Sequence, residues 1–428
     1  MLTLVLTLAA LTTQASDPAA DLAAAVALPT PTERRAAADK LAKQPGIDLA
    51  TWLDITSHFG QFEDQEPGTQ NLTVELPVLG KTETTDLAVF VPKTYNAATP
   101  APLLLVLHGT GGRGRDALEG WRAVSEGLGA LILAPTDPGL NQGYAFSEQE
   151  RAGTLAALRW MRLHYNVDER RILATGVSRG GHLTWDLALR HPGLFAAIVP
   201  IVGGPRLSLT RGQNNLRYIR NVVSTPIRDL QGAKDDPLLI LNLGLAFERL
   251  EDLDATDAKY IEFPELGHDY DPGAVDWRAF LSLARSEPWP AKTLLSSAAA
   301  DDAGRTFLRI EKLDKQVAPD FQLKVTNAWN RADDLGKRRI MQTAAEKHTG
   351  HLEISSTKPG SYKAKGEGVK SFRLLLDAAH LDQKGRAAVR FGSRTTKKTP
   401  EPSAKVLLEE FVESFDRGFL PTVEVLVP

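Results

Sequence analysis

Residues 172–182, ILATGVSRGGH, read as an apolar strand that stops, sets one serine between glycines, and resumes as a helix. Gly176, Ser178 and Gly180 form the pattern G-x-S-x-G. Alone it is weak, because with 34 glycines in 428 residues it arises by chance in roughly one such chain in ten. The frame strengthens it. "RRILATG" ahead of it reads as a strand and "GHLTWDLALR" behind it as a helix. Glycine on both sides lets the turn be sharp and the helix pack close, so the Ser178 hydroxyl projects from the corner. A serine that merely caps a helix would not require both glycines.

The same strand–helix alternation continues in both directions. "NLTVELPVL" and "TDLAVFVPKTY" read as paired strands, and "PLLLVLHG" as a continuous apolar strand suited to the middle of a sheet. Then come "GWRAVSEGLG" (helix), "ALILAP" (strand) and "SEQERAGTLAALRWMRLHY" (helix) before the serine corner. After it follow "FAAIVPIVG" and "TPIRDLQG" (strands), a helix near 241–253, and "AKYIEFPE" (strand). Such alternation predicts a mostly parallel sheet covered on both faces, with ligands bound outside the carboxyl ends of its strands.

The ends of the chain read differently. Leu2 to Leu11 is an apolar run followed by small residues to Ala15; it is too short to span a bilayer and suits an export leader cleaved after Ala15. Residues 16–69 look helical, with Thr30, Pro31 and Glu33 opening a helix that stops before Pro45-Gly46. Near 288–292 the alternation ends, and "SSAAADDAG" reads as a linker between an independently folding body (70–291) and a β-rich module (300–428). In that module "TFLRIEKL", "DFQLKVTNAW", "HLEISST", "VKSFRLLLD", "AAVRFGS" and "PTVEVLV" are expected strands, and "SAKVLLEEFVESFD" the expected helix. A net charge of −3 gives no reason to expect a nucleic acid partner, and the absence of cysteine rules out disulfides and thiolate chemistry.

Two motifs compete in the loop after "LLLVL". Gly109, Gly111 and Gly114 fit G-x-G-x-x-G, a dinucleotide fingerprint, but the acidic residue this needs at the end of the next strand arrives only as Asp137. The alternative is that "HGTGG" offers backbone N–H groups to a developing oxyanion. Downstream residues favour the second. A serine hydroxyl needs an imidazole to take its proton. Of nine histidines, His268 alone follows a late strand in a loop, with His108 better suited to orienting backbone. The imidazole needs a carboxylate, and "QGAKDDPLL" supplies Asp235 and Asp236 after a strand, in the order Ser, Asp, His with gaps of 57 and 33 residues. Arg113, Arg115 and Arg179 are cations near this loop that would steer an acidic substrate, a solvated surface being the plainer account of the first two.

Residues 72–285 resemble the α/β-hydrolases, in the esterase branch that includes polyhydroxybutyrate-depolymerase-like, feruloyl and acetyl-xylan esterases, with kinship to prolyl-oligopeptidase-type catalytic domains. The similar stretches are "VFVPKTYNAATPAPLLLVLHG", "GVSRGG", "QGAKDDPLL" and "FPELGHD". The family's G-x-x-D-x-x-[VL] matches Gly232, Asp235 and Leu238, which selects Asp235 over Asp236. The resemblance implies ester hydrolysis by Ser178, Asp235 and His268, with Arg179, Thr110 and Gly111 as the oxyanion hole. It implies no cofactor or metal, and a small-molecule or polysaccharide-linked ester as substrate. A peptidase of prolyl-oligopeptidase type and a non-catalytic binding protein on the same scaffold are the rival readings.

Overall fold

The computed structural model describes residues 17–137, 142–208, 214–285, 288–299 and 307–428. The leader-like stretch at 1–15 and residues 300–304 of the expected linker lie outside the described residues.

Three helices open the described chain: α1 (Pro18–Ala27), α2 (Pro31–Leu41) and α3 (Leu49–Ser57). The α2 start is as expected, a capping box in which the Glu33 N–H donates to Thr30 and the Glu33 carboxylate accepts from the Thr30 N–H.

The body is an eight-stranded sheet. Its strands are β1 (Gly68–Val78), β2 (Lys81–Val91), β3 (Ala101–Leu107), β4 (Leu131–Pro135), β5 (Val167–Val177), β6 (Ala197–Ile201), β7 (Ile227–Gly232) and β8 (Ala258–Phe263). They lie in the order β1-β2-β4-β3-β5-β6-β7-β8. β2 runs antiparallel to β1 and β4, whereas β4 through β8 are all parallel. The helices connecting them are α4 (Gly114–Glu119), α5 (Arg122–Leu128), α6 (Glu148–His164), α7 (Arg179–Arg190) and α8 (Pro237–Asp252), with α9 (Trp277–Leu281) after the last strand. Helices on both faces leave the middle strands no contact with water, which is why β3, β4 and β6 are apolar and buried throughout. Leu105, Leu133 and Ile198 pack with Leu187 of α7 and Met161 of α6 on one face. Val106, Ile132 and Val199 pack with Leu118 of α4 and Phe280 of α9 on the other.

Beyond α9 come β9 (Lys292–Ser297), β10 (Leu308–Leu313), α10 (Asn327–Arg331), α11 (Asp334–Lys347), β11 (Gly350–Lys358), β12 (Ser361–Glu367), β13 (Val369–Leu376), β14 (Ala387–Phe391), β15 (Arg394–Lys398), α12 (Ala404–Ser414) and β16 (Val423–Val427). They form a three-stranded sheet, β10-β13-β16, and a five-stranded one, β15-β14-β12-β11-β9.

Three details differ from the sequence reading. "DFQLKVTNAW" is not a strand: the Thr326 side chain accepts from the Trp329 N–H and starts α10 instead. The charged segment Asp334–Lys347 forms a helix, α11, whose Met341 and Ala345 are buried in the same apolar cluster as Leu187 and Met161. Finally, the expected linker begins inside β9, which pairs with β11, so the C-terminal sheets start at Lys292. The two ends of the chain also meet. Leu22, Val26 and Trp52 form one cluster with Leu407, Leu408, Phe411 and Phe415 of and after α12. Arg159 and Arg162 of α6 donate to the terminal carbonyls of that helix, Val412, Glu413 and Ser414.

Candidate active site

The G-x-S-x-G stretch forms the turn from β5 into α7, with Ser178 at φ 57° and ψ −113°. This backbone region is costly for a residue with a side chain, on the order of 1–3 kcal/mol, and persists only where its surroundings dictate it. They do: the Ser178 N–H donates to the Ile201 carbonyl of β6 (2.8 Å), and the Ser178 carbonyl accepts from His182 N–H (3.0 Å). A Cβ at Gly180 would stand 2.1 Å from the Leu107 carbonyl oxygen, so only glycine lets α7 start this close to β3.

Ser178 Oγ lies 2.8 Å from His268 Nε2, and His268 Nδ1 lies 2.8 Å from Asp235 Oδ2. The three come from three loops at the carboxyl ends of β5, β7 and β8. The β7 and β8 loops are stitched together, with Ala233 N–H donating to Phe263 and Lys234 N–H to Leu266. The Asp235 carboxylate is largely covered, while His268 opens to solvent at 53% exposure, so a ligand reaches the imidazole and not the acid. Burial pushes the Asp235 carboxyl up, but the Asp236 N–H on Oδ1, the Gln231 amide on Oδ2 and His268 together hold it below its ordinary value. Asp236 turns away and caps α8 through the Leu238 N–H.

Arg179 occupies the first position of α7, where a helix leaves its N–H without an intrahelical partner. The turn 109–112, closed by Gly112 N–H to the Gly109 carbonyl (3.0 Å), lies against the serine; a Cβ on Gly109 would be 3.8 Å from that of Ser178. Thr110 and Gly111 (φ 77°) form the tip of this turn. His108 braces it: Nε2 accepts from the Asp137 N–H (3.0 Å), so the proton sits on Nδ1 and is donated to the Gly109 carbonyl (2.8 Å). Burial lowers the affinity of this imidazole for a second proton.

The Arg179 side chain does not face a ligand. It is buried and paired with Glu150 (2.8 Å) and Asp137 (3.0 Å), which corrects its expected role in steering an acidic substrate. Arg115 sits exposed beside Asp116. Sequence reasoning missed Gln231, because a glutamine inside a strand carries no signal of what it meets. It also missed Asp186, a buried carboxylate that accepts from Tyr144, Arg151, Arg190 and Asn215 behind α7.

A cleft of about 570 Å³ is lined by Gly109, Val177, Tyr270, Trp121 and Trp277 among others, but by none of Ser178, Asp235 and His268; its two tryptophans pack edge to face at 4.8 Å. A larger cavity, about 1420 Å³, lies among α2, α6 and α12 and touches none of the triad.

No protein-family model matches the chain. It is similar to a probable feruloyl esterase C of Aspergillus niger, 28% identical over 137 residues that cover 30% of this chain and 50% of that protein. A probable feruloyl esterase C of Aspergillus flavus is 27% identical over 151 residues, 33% of this chain and 55% of that protein. The chain thus spans about half the length of these curated relatives. Among solved structures, a thermostable esterase superposes with a TM-score of 0.41 at 22% identity, covering 50% of this chain and 63% of that one. The sheet order with its antiparallel second strand and the strained serine turn are those of the α/β-hydrolase fold, and the sequence likeness is to esterases. Among the described residues, no helix is long and apolar enough to cross a membrane.

Proposed function

We propose that this protein is a serine hydrolase that cleaves carboxylic esters through an acyl-enzyme. The observation that carries the reading is the unbroken row from Ser178 Oγ through His268 to Asp235, each step 2.8 Å, beginning at a strained turn. Ser178 Oγ bonds to the ester carbonyl carbon while its proton passes to His268 Nε2. The negative oxygen so formed is received by the N–H groups of Arg179, Thr110 and Gly111. The carbon–oxygen bond to the alcohol then breaks, and His268 returns the proton to the departing oxygen. Water repeats the sequence on the acyl group, freeing the acid and Ser178. Asp235, held ionised, keeps the Nδ1 proton in place and stabilises the imidazolium.

For the acyl group we favour an aromatic acid, in free or polysaccharide-linked esters. The likeness to probable feruloyl esterases supports this, with Trp121, Trp277 and Tyr270 lining a cleft that reaches Val177, the residue before Ser178. Export is part of the reading and rests on residues 2–15; the mature protein then begins at Ser16.

Labelling with a fluorophosphonate, followed by a panel of acetyl, medium-chain and hydroxycinnamoyl esters beside a peptide amide, tests the proposal. Wild-type protein labels and Ser178→Ala does not, and hydroxycinnamoyl esters give the highest kcat/KM. Label on Ser178→Ala, or turnover of the amide above every ester, overturns it.

A further inference from the structure

Behind the triad stands Gln231, on β7 and with no exposed surface. Its Nε2 donates to Asp235 Oδ2 at 2.7 Å, the same oxygen that meets His268, and to the Gly232 carbonyl at 3.2 Å. The amide orientation is decided by chemistry: both neighbours are acceptors, so the nitrogen and not the oxygen must face them. Its Oε1 is buried without a hydrogen-bond partner among the described residues. The amide thus donates both of its hydrogen bonds, to Asp235 and Gly232, and makes none through its oxygen. The remaining restraint on the carboxylate is the Asp236 N–H on Oδ1 (2.7 Å), a contact from the adjacent residue that moves with it. Gln231 is therefore the donor that ties Asp235 to the rigid sheet and not merely to its own loop.

On the serine-hydrolase reading above, we propose that Gln231 is a positioning residue for the reaction: it clamps Asp235 Oδ2 in line with His268 Nδ1 from the floor of β7. It touches no substrate and acts only through Asp235. The consequence is a coupling that a residue important only for packing would lack. With the donor gone, the carboxylate swings within its loop, the His268 bond weakens, and the chemical step slows while binding does not.

The test is a double-mutant cycle on the full-length protein with p-nitrophenyl acetate, using Gln231→Met, Asp235→Ala and the double variant. Gln231→Met is expected to lower kcat about ten- to a hundredfold with KM within about twofold. In the Asp235→Ala background the same change should alter kcat by less than about twofold, since the group it acts through is absent. The low-field proton resonance of the His268–Asp235 bond should broaden or shift upfield in Gln231→Met. Should Gln231→Met fold poorly, Gln231→Asn keeps the amide but retracts its nitrogen by one methylene, and the same split applies. An equal loss of kcat in both backgrounds, or wild-type kcat in Gln231→Met, overturns the inference while leaving the triad standing. Wild-type kcat in Asp235→Ala alone overturns the triad reading itself and this inference with it.

Discussion

Gly232 and Gly267 touch: a Cβ on Gly232 would lie 1.9 Å from the Gly267 carbonyl oxygen, well inside van der Waals contact. This approach brings the loop carrying Asp235 against the loop carrying His268. Gly232→Ala is expected to push the loops apart and lower kcat by about a hundredfold or more, since a shift near 1 Å is enough for that. Turnover of a soluble ester by folded protein checks it; near wild-type activity would mean that the loops can yield.

On the proposed mechanism, Ser178→Ala removes the attacking oxygen and little else, because the turn is held by the backbone bonds to Ile201 and His182. We expect kcat to fall by on the order of 10⁴–10⁶ with the thermal midpoint close to wild type. Calorimetry beside a steady-state assay separates this from unfolding.

Asp235 and Asp236 adjoin yet do different things. Asp235→Asn should lower kcat about 10³- to 10⁴-fold, because His268 loses the partner of its cation. Asp236→Asn should leave kcat within about a few-fold, since asparagine also caps a helix. The opposite ordering would show that the loop register differs from the one described.

A chain ending after Ala291 is expected to be insoluble or inactive on small esters, against the modular reading of the linker. Arg217, buried in the body, donates to the carbonyls of Ala318 and Pro319 and to Thr349, all beyond the cut. The cut removes these acceptors, and loss of α11 and α12 exposes the apolar surface they cover. Soluble yield and ester turnover of the truncated chain decide between the two architectures.

His351 gives the fold a pH dependence away from the triad. Burial, reinforced by Arg220 and Arg217, lowers its pKa to about 3. In the unfolded chain it takes up a proton near pH 6.5, so the stability present above that value is lost progressively as pH falls towards 3. His351→Gln should remove about 2 kcal/mol of the loss between pH 7 and pH 5. Urea midpoints of both proteins at the two pH values measure it; parallel curves would exclude His351 as the source.

The sequence by itself determined the parallel sheet, the serine turn and the order of Ser178, Asp235 and His268. Those features are local: apolar runs of strand length, glycines at a sharp corner, and polar residues in the loops that follow strands. The Thr30 capping box was legible for the same reason. What only the tertiary structure decided depends on partners distant in the chain. α11 was not assigned from the sequence, because its few apolar residues, Met341 and Ala345, find their partners only in the body, in space. Arg179 read as a free cation until Glu150 and Asp137 closed on it. The choice of Asp235 over Asp236 became geometry when β7 and β8 brought Gly232 against Gly267. Gln231 acquires a purpose only there, because a hydrogen bond to a buried carboxylate belongs to the folded arrangement and leaves no periodic or compositional trace in the chain.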